Sequence, residues 1–125
     1  MKKHIMTVLS ILFGLLLING GLDKFFHYMP VPENLPAEVV KDGFALLEIQ
    51  WLMPLVGTIE IISGLLILFP KTRLLGAITF FPVFCGIFLT HITVAPDGLP
   101  IAIIIALFLF AIFYQNKAKL LQLIK

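Results

Sequence analysis

One acid of this chain, Glu60, lies near the middle of an apolar run, Gln50 to Arg73 (QWLMPLVGTIEIISGLLILFPKTR). The run is long enough to cross a bilayer, and a carboxylate at that depth costs at least roughly 2.5–3.5 kcal/mol on insertion scales. Glu60 therefore needs a partner, a proton or a function. Placing residues by depth, at ~1.5 Å per residue along each helix, separates it from a second polar group. Lys24, Glu48 and His91 come from three different segments at similar depth near the opposite face, with Asn19 somewhat deeper. An ammonium, a carboxylate and an imidazole there could bind a quinone head group, shuttle a proton or hold a small polar ligand. The same residues also read as ordinary interfacial side chains, with Lys24 and Glu48 snorkelling to water and His91 satisfying a helix end.

For Glu60 no counter-charge is expected at its own depth. Lys24 and His91 sit further out, and Lys71 and Arg73 lie near the other surface. The expectation is a protonated carboxyl that donates a hydrogen bond to a carbonyl or to Asn19, Thr58 or Thr79. Such a bond either locks helices together or forms part of a proton relay or ligand site. Met53, Gly57, Gly64 and Ile67 share its helix face, which predicts close packing around it. Metal binding is not expected, because His4, His27 and His91 occupy different levels and no His-x-x-x-His or carboxylate–His pair occurs. Haem is not expected either, the pair His27 and His91 being a faint axial set. Ser-His-Asp and phosphate-loop motifs are absent. The single cysteine, Cys85, excludes an internal disulfide and reads as a small apolar side chain packed in a core.

The elements that must position these groups follow from composition. With 125 residues, 60% of them hydrophobic and only 13% charged, the chain makes one domain, residues 1–125, of an integral membrane protein. The predicted class is an all-α transmembrane four-helix bundle, with spans over about 5–22, 49–69, 73–92 and 99–114. The basic start Met1-Lys2-Lys3-His4 also begins secretory signals, but Ile18-Asn19-Gly20-Gly21 is not a clean cleavage site, so the first run reads as a retained span. Pro30, Pro32 and Pro36 break the polar stretch that follows and make it a Pro-rich outer loop. From Pro36 a short interfacial helix is predicted, with Val40, Phe44 and Leu47 on one face and Gly43 as its weak point. Pro70 stops the second span and Thr72 is expected to cap the third, giving a tight antiparallel hairpin. Pro54 and Pro82 fall inside spans and predict bends.

Charge sets orientation. Lys2, Lys3, Lys71, Arg73, Lys117, Lys119 and Lys125 belong to the two ends and the second-to-third turn, whereas the other loops carry Lys24 and Lys41 only. Both termini are therefore expected in the cytoplasm. Trp51, Tyr28 and Tyr114 fall at predicted interfaces, where amphipathic rings are favoured. No basic patch suited to phosphate backbones occurs, so nucleic acid is not an expected partner.

Ile18-Asn-Gly-Gly-Leu-Asp-Lys24-Phe, and Glu60-Ile-Ile-Ser-Gly64-Leu-Leu-Ile-Leu-Phe-Pro-Lys-Thr-Arg73-Leu-Leu-Gly76 across the hairpin, resemble the DoxX-like family of small four-helix membrane proteins. With the Pro-containing loop, the resemblance runs from about Gly14 to Tyr114. It implies a bacterial cytoplasmic-membrane bundle and carries over Lys24, Glu60, Gly64 and Arg73, the last in the cytoplasmic hairpin, with His91 less directly. It also implies a non-catalytic accessory subunit of a quinone-linked membrane redox system, whose partners are the bilayer and a redox enzyme. An assembly factor bound to a client membrane protein is the alternative the family implies. A homo-oligomeric proton-coupled transporter is a third reading, from other small bundles that use one membrane glutamate.

Overall fold

The computed structural model describes residues 2–28 and 35–124, with side chains from His4 onward. Pro30, Pro32 and Glu33 of the outer loop lie outside the described residues. The rest is helical: α1 (Lys2–Phe26), α2 (Ala37–Glu48), α3 (Leu52–Leu68), α4 (Arg73–Thr93), a 3-10 turn (Pro96–Gly98), α5 (Leu99–Gln115) and α6 (Lys117–Gln122), with no strand among the described residues. Three helices are long and apolar enough to cross a membrane, or four spans result if α2 and α3 count as one broken span. Hydroxyls within the helices are satisfied locally, as hydrocarbon requires: Thr58 donates to the Pro54 carbonyl at 2.8 Å, Thr79 to Leu75 at 2.7 Å and Thr93 to Leu89 at 2.7 Å.

Helix α1 packs antiparallel on α3 along a seam of glycines. A Cβ on Gly64 would stand 2.6 Å from the Gly14 carbonyl oxygen, and one on Gly21 would stand 2.5 Å from that of Gly57. Only hydrogen fits at these crossings, so the two backbones touch over much of the α3 length. In turn α3 packs on α4, and α4 on α5. The buried core lies between them around Phe13, Leu17, Ile67, Phe80, Leu109 and Ile112. Phe13 meets Phe80 and Phe108 edge-on, with ring centroids 5.7 and 5.0 Å apart.

Several local expectations need correction. The second span does not begin at Ile49, because the chain bends by 93° between α2 and α3 and Trp51 marks the corner. Pro54 is the third residue of α3. Its missing N–H falls in the first turn, where no intrahelical partner was due, so it starts the helix rather than bending it. Pro82 does lie inside α4, which stays helical across it. Thr72 precedes α4, but its hydroxyl does not cap that helix; it donates backwards to the Leu66 carbonyl at 2.6 Å and closes α3 instead. Cys85 is exposed on the outward side of α4 rather than packed in the core. The short helix after Pro36 is present as α2, and it has no fully buried residue.

Helix α1 ends where His27 takes a φ of 53°, and the chain turns back so that the Tyr28 hydroxyl donates to the Asn19 carbonyl at 2.9 Å and to the Asn19 side-chain oxygen. A left-handed residue just past a helix is ordinarily glycine, and a side chain there costs on the order of 1 kcal/mol. His27→Gly is therefore expected to raise the thermal midpoint, followed by circular dichroism in detergent. A lowered midpoint would mean that imidazole contacts outweigh the backbone strain.

Candidate functional site

Glu60 is 5% exposed and sits at the centre of α3. Contrary to the expectation of an uncharged donor, its Oε1 lies 2.7 Å from Lys24 Nζ in an ion pair. Thr58 and Thr79 are turned to carbonyls of their own helices, and Asn19 receives the Tyr28 hydroxyl.

Lys24 reaches Glu60 because side chains on a helix lean toward its N-terminus. In the α1–α3 register, where Gly21 opposes Gly57 and Gly14 opposes Gly64, Lys24 stands about six residues outward of Glu60. At ~1.5 Å per residue that is about 9 Å between their Cα levels. The two helices are antiparallel, so Lys24 leans inward toward the N-terminus of α1 and Glu60 leans outward toward the N-terminus of α3. The Lys24 stem passes over Gly57, whose added Cβ would be 3.2 Å from Lys24 Cβ. Gly20 flanks the carboxylate from α1, where a Cβ would meet Glu60 Oε2 at 2.8 Å. Glycines at 20 and 57 thus leave the space in which the pair forms.

The predicted outer trio does not assemble. His91 is held within its own connection: its Nδ1 and the Ala95 carbonyl are 3.0 Å apart, and Gly98 lies directly against the ring. Glu48 ends α2 and is exposed, and the ion pair of Lys24 is made with Glu60 instead. Asn19 ties down the residues after α1 through Tyr28. Arg73, expected near the surface, is only 8% exposed. Its Nε donates to the Ile67 carbonyl at 3.1 Å, and its Nη2 is buried without a hydrogen-bond partner.

Not legible in the sequence is a cavity of about 440 Å³ between α2, the C-terminal end of α1 and the N-terminal end of α3. Val39, Val40, Phe44 and Leu47 of α2 and Met53 of α3 give it apolar walls, and Asp23, Lys24 and His27 its polar ones. Val40, Phe44 and Leu47 were legible as one face of an amphipathic helix. Nothing in the spacing said that this face would line a cavity together with Lys24. Lys24 is consequently shared, with one side on Glu60 and the other on the cavity. An ammonium has three N–H donors, so donors remain for an acceptor oxygen inside the cavity. The arrangement suits an elongated apolar molecule ending in a carbonyl or similar oxygen.

Compared with protein-family models, with curated proteins and with solved structures, the chain matches none.

Proposed function

We propose that this chain is a DoxX-like four-span protein of a bacterial cytoplasmic membrane, with both termini inside, serving as a non-catalytic accessory subunit of a quinone-linked redox system. The observation that carries the reading is the position of Lys24, paired with the buried Glu60 and at the same time forming the polar wall of a largely apolar cavity. A quinone supplies electron-carrying chemistry when bound; the residues here position and orient it. Lys24 would donate to a ring carbonyl, with Glu60 holding the ammonium in place, and Phe44, Leu47 and Met53 would enclose the hydrocarbon part. The four-span arrangement rests on the side-by-side packing of α1, α3, α4 and α5, and its orientation on the basic residues gathered at one end.

Trp51, the sole tryptophan, stands at the α2–α3 corner, two residues before the cavity-lining Met53, and serves as a built-in reporter. Titrating the protein in nanodiscs with decylubiquinone is expected to give a saturable component of Trp51 quenching. A charge-assisted hydrogen bond is worth about 1.5–3 kcal/mol, so Lys24→Ala should weaken the apparent affinity by about tenfold or more. Lys41→Ala, an exposed change on α2, should leave it unaltered. Quenching that rises linearly and identically in all three proteins would reject the reading.

A further inference from the structure

At the other end of the molecule, α1 and α5 approach without closing on one another. They leave a groove of about 640 Å³ whose walls include Met6, Leu9 and Leu16 of α1 and Ile101, Ile104 and Ala111 of α5. The Phe13–Phe108 contact bridges the two helices within it. We propose that this groove holds one acyl chain of an anionic phospholipid, with the phosphate at the end where α1 begins and α5 finishes.

Three observations point to that occupant. The first is the wall. The residues that line the groove are all apolar, with no ionisable or hydroxyl side chain among them, which suits a hydrocarbon chain. The second is length: Met6 to Leu16 spans about 15 Å of helix, the reach of roughly twelve extended methylenes.

The third is charge. The short connections make α1 and α5 antiparallel, so the Met6 end of the groove is also the end of α5 that leads into α6. There stand His4, Lys117 and Lys119, with Lys117 Nζ 4.8 Å from the centre of the Tyr114 ring. Because Gly14 opposes Gly64 and Leu68, the α3–α4 turn lies at this end too, and it brings Lys71 and the buried guanidinium of Arg73 with its unpartnered Nη2. Among the described residues, the acids Asp23, Glu38, Asp42, Glu48, Glu60 and Asp97 belong to the other end or to the centre of α3. Positive charge at this end thus has no acidic side chain to balance it among the described residues, and a phosphate at headgroup depth supplies the balance.

Native mass spectrometry of the full chain, released from nanodiscs of equimolar phosphatidylglycerol and phosphatidylcholine, tests this. The expected result is a one-to-one phosphatidylglycerol adduct retained at least about fivefold over phosphatidylcholine, a ratio equal to about 1 kcal/mol. Ile104→Trp, at an exposed position on the groove wall, and separately Lys117→Gln with Lys119→Gln, should each reduce the preference to near unity. Leu12→Trp provides a second groove variant should the first fail to fold, and Lys41→Gln should retain the adduct. Equal retention of the two lipids, or a preference untouched by the groove and charge variants, overturns the proposal. So does a dimer that the tryptophan variants dissociate, since a second copy would then be the occupant. The cavity at Lys24 is spatially separate, so failure here leaves the quinone reading intact.

Discussion

Lys24→Met, with Glu60 left in place, is expected to cost about 3–5 kcal/mol of folded-state stability, the loss seen when one member of a buried ion pair is removed. The acid, 5% exposed, keeps its surroundings and loses the group 2.7 Å away that balanced it. Glu60→Met alone strands a less buried ammonium that can swing toward the outer surface, so a smaller loss is expected. The double variant Lys24→Met/Glu60→Met should recover most of the stability, because well-packed apolar replacements of a buried pair are often neutral. Equilibrium unfolding in mixed micelles of the four proteins gives the coupling energy directly. A coupling under about 0.5 kcal/mol would show that the contact contributes no more than a surface pair. The double variant also separates fold from function: stability returns, while quinone-dependent quenching of Trp51 should stay lost.

The second large effect is expected at the glycine seam. Gly64→Ala places a methyl 2.6 Å from the Gly14 carbonyl oxygen and 2.8 Å from Ile18 Cγ1. The first neighbour is backbone and cannot rotate away, so α1 and α3 must separate along their length. A loss of about 1–3 kcal/mol follows from overpacking alone, and Gly64→Leu should abolish the seam. Gly86→Ala is the matched control. Nothing lies within 4 Å of that position, and alanine is the better helix former, so this variant should be neutral or slightly stabilising. Equal losses at the two sites, read from the same unfolding curves, would mean that the seam contributes nothing specific.

Much of the helical layout is legible in the sequence because apolar run length and proline punctuation dictate it. The limits of α4, expected over 73–92 and found at Arg73–Thr93, and of α5, expected over 99–114 and found at Leu99–Gln115, depend on little else. Helix α1 extends to Phe26 rather than stopping near 22, because Lys24 and Asp23 remain helical where hydropathy falls. The central pair was misread for a geometric reason. Depth was assigned from Cα positions, and the Lys24 and Glu60 stems, leaning in opposite directions along antiparallel helices, close a gap that a Cα ruler reports as open. His91 shared a level with Lys24 on that ruler, but a level does not specify a bearing around the helix axis. Arg73 was misplaced similarly: its stem folds onto the Ile67 carbonyl instead of following the basic residues outward. The cavity beneath α2 depends on a right-angle corner at Trp51, which no periodicity encodes.

The unequal lengths of the helices at that corner carry a further consequence. Helix α3 has 17 residues and its seam partner α1 has 25, which is about 25 Å against about 37 Å. A hydrocarbon layer about 30 Å thick is deeper than the first, whereas the apolar part of the second, between His4 and Asp23, is close to that depth. A bilayer crossed by α3 without α2 would therefore thin beside α3 and not beside α1. Membranes made from shorter acyl chains relieve the strain on the α3 side, and such regions are where the molecule should gather when thin and thick domains coexist.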